Sequence, residues 1–207
     1  MSDNSAPPAV AATRGPSAHS VRDQIIQAAQ DHFSHYGYAK TTVADLAKEI
    51  GFSKAYIYRF FESKQAIGEA ICTNSLTILR TEVQNAVAEA DSATEKLRTF
   101  IRALSSESAK LFFVDRKLYE IAAFSASERW NSARHHWSEV RAMVQEIIVL
   151  GRDSGEFERK TPIDEVCRAI LYAISPFADP LSLERHLDLL PDGPSEVSGL
   201  ILRSLAP

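Results

Sequence analysis

Nine consecutive residues, SKAYIYRFF at 53–61, carry the chemistry this chain is best equipped to perform. Read as a short helix, they put Ile57, Phe60 and Phe61 on the buried side and leave Lys54, Tyr56, Tyr58 and Arg59 mostly outward. Two tyrosines and two cations on two helical turns are costly as plain solvated surface. Against nucleic acid each has a use. A phenol donates a hydrogen bond to a phosphate or a base edge, and Lys and Arg supply positive charge. Thr42 and Lys64 flank the segment at expected helix N-termini, where free N–H groups and the helix dipole favour a phosphate.

The other reactive side chains do not assemble. His135 and His136 are neighbours, so on a helix they point about 100° apart and cannot share a metal. His32 and His35 lie three apart, but no cysteine–carboxylate set surrounds them, and they read as surface or packing residues. Cys72 and Cys167 are the only cysteines and are far apart, which is neither a disulfide framework nor a CxxC metal site. They read as small buried hydrophobes, with a redox sensor as the alternative. Glu107, Asp115, Glu120, Glu128 and the two adjacent histidines are what an all-helical enzyme would draw on, yet their spacing builds no site. There is no GxSxG, P-loop, HExxH or Gly-rich nucleotide loop. No catalysis, metal or cofactor is expected.

The elements that hold the 53–61 segment are legible around it. Helix one spans about 20–36, with Val21, Ile25, Ala28, Ala29, Phe33 and Tyr36 as its apolar face and Gly37 as its stop. Helix two starts at Thr42, a good N-cap with Asp45 at the third helical position, and buries Val43, Leu46, Ala47 and Ile50. Gly51 ends it, Ser53 caps helix three, and the two helices with their short turn form a helix-turn-helix between Thr41 and Lys64. In such a unit the second helix enters the major groove. Ser63 caps a long fourth helix carrying Ile67, Ile71, Ile78 and Leu79. Beyond it, helical periodicity covers about 93–114, 115–126 and 129–152, and the charged run 82–95 reads as a solvated face. Ser154-Gly155 breaks the pattern. Thr161 then caps a helix with Pro162 at its first position, closed by Pro176 and Pro180, and a last helix spans about 195–205. Residues 1–19, rich in Ser, Ala and Pro, read as a disordered tail. The fold class is all-α.

Charge sharpens the division of labour. The chain of 207 residues carries a net charge of −4, which argues against bulk electrostatic binding of nucleic acid. Residues 1–65 hold seven Lys or Arg against six Asp or Glu, while the remainder holds 16 against 21. DNA contact is therefore local to the first third. No run of apolar residues is long enough for a membrane span, and no signal peptide is evident, so a cytoplasmic location without membrane contact is expected.

Residues 20–80 resemble the TetR family of bacterial one-component regulators. The resemblance is carried by TTVADLA at 41–47, GFSKAYIYRFF at 51–61 and Ser63-Lys64. It implies a three-helix DNA-binding domain at 20–66 and a larger helical ligand-binding and dimerisation domain at 67–207. It further implies a homodimer that represses, or less often activates, from a near-palindromic double-stranded DNA operator, and a small-molecule effector of unknown identity that changes the spacing of the two DNA heads. Tyr58, Lys64 and Thr42 match phosphate contacts, and Ser53, Lys54, Ala55, Tyr56 and Arg59 fall in the recognition helix and its cap. Tyr56 stands where a small residue or Thr is often found, so base preference does not carry over. In the C-terminal part, Phe100, Leu104, Phe112, Tyr119, Phe124, Trp137 and Tyr172 are expected pocket lining, the competing reading being plain core. Ile163, Val166, Ile170, Leu171, Ile174, Leu200 and Ile201 are the expected dimer seam. A regulator gated by a protein partner is the alternative to a small molecule.

Overall fold

The computed structural model describes residues 18–207, with side chains from Ser20 onward. The expected tail therefore lies outside the described residues, except that Ala18 and His19 already belong to the first helix. Ten α-helices follow in order: α1 Ala18–Tyr36, α2 Val43–Ile50, α3 Lys54–Ile57, α4 Lys64–Ala88, α5 Ala93–Val114, α6 Arg116–Ser127, α7 Asn131–Ser154, α8 Ile163–Ala178, α9 Pro180–Leu183 and α10 Asp192–Ser204. A 3-10 turn at Leu187–Leu189 precedes α10, and no strand occurs among the described residues.

Apolar burial separates into two clusters. One joins α1, α2 and α3 with the start of α4, around Ile25, Phe33, Leu46, Ile57 and Ile67, and it also takes Ile121 of α6 and Trp130 just before α7. The other fills the C-terminal body around Phe100, Leu104, Val144, Ile148 and Ile174. The 25-residue α4 belongs to both, with Ile67, Ala70 and Ile71 in the first and Leu79 and Val83 in the second. Helix α6 braces the head from the side, packing on α1 and α4.

Several sequence expectations change. Tyr36 is exposed and stacks on His32 at 4.5 Å rather than joining the core. Ile78 is exposed, because the buried line of α4 runs Ile71, Cys72, Leu79, Val83 and Ile78 sits about 100° away from Leu79. Pro162 is the cap of α8, not its first residue, and the Thr161 N–H is held by the Glu158 carboxylate instead. Pro176 does not stop α8, which continues to Ala178. A proline there removes the N–H that would bond the Tyr172 carbonyl, and the Ser175 hydroxyl donates to that carbonyl at 3.0 Å in its place.

Candidate nucleic-acid interface

Local chemistry sets each turn of the head. Thr42 and Asp45 form a reciprocal capping box at α2, with Asp45 N–H donating to Thr42 Oγ1 at 3.2 Å and Thr42 N–H donating to Asp45 Oδ2 at 2.8 Å. The Thr42 hydroxyl also donates to Asp45 Oδ2 at 2.7 Å, and these bonds hold the Asp45 carboxyl below its usual range. Gly51 ends α2 at φ 76°, a left-handed conformation that disfavours any residue with a Cβ. Ser53 caps α3 through its Oγ, which accepts from Tyr56 N–H at 3.1 Å. Helical bonding continues past Ile57, with Phe60 and Phe61 N–H groups donating to the Ile57 carbonyl at 3.0 and 3.1 Å, so 53–61 is one compact turn-rich unit.

That unit presents its polar residues much as its sequence suggests. Ile57 and Phe61 are buried, while Ser53, Lys54, Ala55, Tyr58 and Arg59 are exposed. Tyr56 is half-buried, not outward. It stands in an edge-to-face row between Phe52 and Phe60, with centroids 5.0 and 5.3 Å apart, because a ring at this position reaches back over the turn. The Arg59 guanidinium lies over the Tyr56 ring at 5.6 Å and the Lys54 ammonium lies 5.7 Å from the Tyr58 ring. Both cations are thus held near aromatic faces yet remain available to an anion.

Lys64 differs most from its expected part. Its ammonium donates to the carbonyls of Tyr38 and Thr41, both at 3.0 Å, and lies 4.3 Å from the Tyr38 ring. Burial lowers its pKa. Two of its three N–H donors are spent on the loop between α1 and α2. Lys64 thus ties α4 to the helix-turn-helix, and reads first as a positioning residue. Tyr38, which sequence reasoning passed over, is the hub of this corner, packing edge-on against Phe33 and Trp130. Its signal was an aromatic directly after the Gly37 stop. Gly68 faces it one turn into α4, where a Cβ would lie 2.9 Å from the Trp130 ring and 3.0 Å from that of Tyr38.

In the body the expected pocket residues scatter. Tyr119 and Trp137 line an apolar cavity of about 30 Å³ together with Leu76 and Leu79 of α4. Phe100 and Leu104 are core behind it. Phe112 stacks edge-on against Tyr119 at 4.8 Å. Phe124 packs on Tyr38 and Trp130 of the head. Tyr172 is 71% exposed on the outer face of α8, since the inner face is taken by Val166, Ile170 and Ile174. The expected dimer seam divides likewise. Val166, Ile170, Ile174 and Ile201 are buried in the protomer's own core, Ile163 and Leu171 are half-buried, and Leu200 is 62% exposed.

His136 was missed. It is buried in the cavity wall, its Nδ1 has no partner, and burial pushes its pKa down to about 4. The signal was there: Ser132, His136, Val140 and Val144 continue one i, i+4 stripe of α7. Cys72 is buried with its thiol pushed up to about 12, and burial also raises Cys167, which fits the reading of both as small buried hydrophobes.

A capped helix-turn-helix on an all-helical body defines a DNA-binding transcriptional regulator, not an enzyme. Residues 25–71 match the family described as "Bacterial regulatory proteins, tetR family", and residues 93–190 match "Tetracyclin repressor-like, C-terminal domain". The chain belongs to the TetR family of transcriptional regulators. It is similar to the HTH-type transcriptional repressor KstR2 of Mycolicibacterium smegmatis, 28% identical over 151 residues that cover 72% of this chain and 73% of that one. Two solved structures share its fold. The fatty acid degradation regulator FadR from Bacillus halodurans is 20% identical over 92% of this chain and 96% of its own, with a TM-score of 0.65. FadR from Bacillus subtilis in complex with stearoyl-CoA is 19% identical over 88% and 98%, also with a TM-score of 0.65. No described helix is long and apolar enough to cross a membrane.

Proposed function

We propose that this regulator is a repressor that binds a near-palindromic operator as a homodimer and releases it when a lipid-derived effector enters the body. Its DNA head is 20–66, its body is 67–207, and it works in the cytoplasm, where the operator is. The observation that carries the reading is the double membership of α4. Its first turns lie in the head core, anchored by Lys64, and Leu76 and Leu79 farther along wall the cavity. Anything that widens the cavity moves α4, and α4 carries the head. A cavity of about 30 Å³ has room for one or two waters, so an effector must part α4, α6 and α7 to enter. A lipid-derived molecule suits the apolar walls, in keeping with the stearoyl-CoA bound by one structural relative.

DNA contact falls to Tyr58, Lys54 and Arg59, with Thr42, Ser53 and Ala55 at the helix starts and Tyr56 shaping the reading surface. The dimer seam falls to the outer faces of α8 and α10, where Tyr172, Leu171 and Leu200 leave apolar area in water. Two heads reading one DNA face need recognition helices about 34 Å apart. The test is fluorescence anisotropy with DNA from upstream of the chain's own gene, over a salt series, with sedimentation to count protomers. Two protomers per site and a steep loss of affinity with salt are expected. A monomer on DNA, or no salt dependence, overturns the reading.

A further inference from the structure

A second concavity, unconnected with the cavity behind α4, opens between α5 and the start of α10. It has a volume of about 940 Å³. Its α5 wall carries Arg98, Arg102 and Lys110. Glu95 and Asp192 line the same groove, so its charge is close to balanced. Arg98 is paired with Glu95 at 2.6 Å and Lys110 with Glu107 at 3.2 Å, whereas Arg102 is exposed and has no ion-pair partner among the described residues.

A further observation points to a ligand. Ser105 of α5 and Ser198 of α10 both line the groove, are 3% and 2% exposed, and have hydroxyls without a hydrogen-bond partner among the described residues. Buried hydroxyls are ordinarily satisfied, so two orphans in the walls of one groove ask for an acceptor or donor from outside. Phe113, 69% exposed, with Leu190, Pro191 and Pro194, makes the rest of the wall apolar.

We propose that this groove binds a soluble amphiphile with a phosphate head and an apolar tail, the head set against Arg102 and the two serines, the tail along Phe113 and Leu190. A phosphate matches the polar end, since it is bidentate to a guanidinium and accepts from hydroxyls. A monomer is favoured over a membrane surface, because the site is concave and the surrounding body, with 16 basic against 21 acidic residues beyond position 65, repels an anionic bilayer. Asp192 and Glu95 stand at the rim and oppose the anion, which gives the site a sign that is easily tested.

The site is independent of the repressor reading, and its test does not use DNA. Titration calorimetry of the full chain with dodecyl phosphate below its micelle concentration should show saturable binding, with inorganic phosphate and dodecanol each binding far more weakly. Arg102→Ala should weaken dodecyl phosphate about 10-fold or more and Arg102→Lys much less, Ser105→Ala and Ser198→Ala a few-fold each, and Asp192→Asn should tighten it. Arg102 is exposed, so its variants fold, and an unchanged melting curve checks this. Equal binding of dodecanol, indifference to Arg102→Ala, or binding only to vesicles of phosphatidic acid in phosphatidylcholine overturns the proposal.

Discussion

The head and the body of this chain are built from the same material in different proportions. In the head, α2, α3 and α4 each begin with a Thr or Ser whose side chain caps its own helix. Its corner is closed by lysine on carbonyls and by interlocked rings. In the body, Ser92, Asp115 and Asp179 cap α5, α6 and α9, but α7, α8 and α10 begin without a side-chain cap, and three buried polar side chains, those of Ser105, His136 and Ser198, have no partner among the described residues, against His32 in the head. Helices held by local chemistry keep their geometry as a rigid reader must. Helices held by long-range apolar packing, with polar groups in reserve, can exchange one arrangement for another when something binds.

The sharpest way to break the contrast is to remove head packing. Phe33→Ala, at a fully buried ring, should cost about 3–5 kcal/mol by denaturant unfolding and abolish DNA retention. Retained operator binding would mean that the head is not held as described. Next comes the pair Lys64→Ala and Tyr58→Phe. Loss of the Lys64 bonds should cost about 1.5–3 kcal/mol of stability and weaken DNA binding indirectly. Tyr58→Phe should leave the melting temperature alone and weaken binding to all sequences by about 10-fold. If both variants melt normally and both bind poorly, Lys64 is a phosphate contact after all. Gly51→Ala, at φ 76°, should cost about 1–2 kcal/mol, read as a lower thermal midpoint.

The smallest effect is in pH, and the two groups that carry it both belong to the body. His136 has its pKa lowered to about 4 from 6.5, so the unfolded chain takes up its proton first and body stability falls as pH drops through 6.5 towards 4. Glu156 accepts from the Ala93 and Thr94 N–H groups at the start of α5, which holds it near 2 against an ordinary 4.5. Its contribution is present above 4.5 and is lost as pH falls towards 2. Melting midpoints of His136→Gln should be flatter than the parent between pH 6.5 and 4, and those of Glu156→Gln flatter only below 4.5.

The same contrast decides what was legible in the sequence. Capping residues, the Gly51 turn and the 3.6-residue stripes sit within a few positions of what they control, so the helix-turn-helix and its outward residues other than Tyr56 could be read directly. The body could be read as helices but not as a site. Which face of α8 turns inward depends on α5 and α7, tens of residues earlier, and so Tyr172 was assigned to a pocket when it lies outside. The anchoring role of Lys64 was hidden for the same reason, since its acceptors at Tyr38 and Thr41 are more than twenty positions away. His136 was weighed only as a metal ligand or a catalytic group, and its place in the α7 stripe went unused.

Gly68 and α4 together have a mechanical meaning. A 25-residue helix is about 37 Å long, and it is pinned near one end where Trp130 and Tyr38 close on Gly68. A rod pivoted there has unequal arms, the short one bearing the head and the long one running past the cavity. Swinging the long arm by about 5° shifts its tip by about 2–3 Å, while the head turns through the same angle without being stretched. On the proposed mechanism the arrangement trades travel for torque: a displacement of atomic size in the body would arrive at the DNA as a small rotation delivered with force.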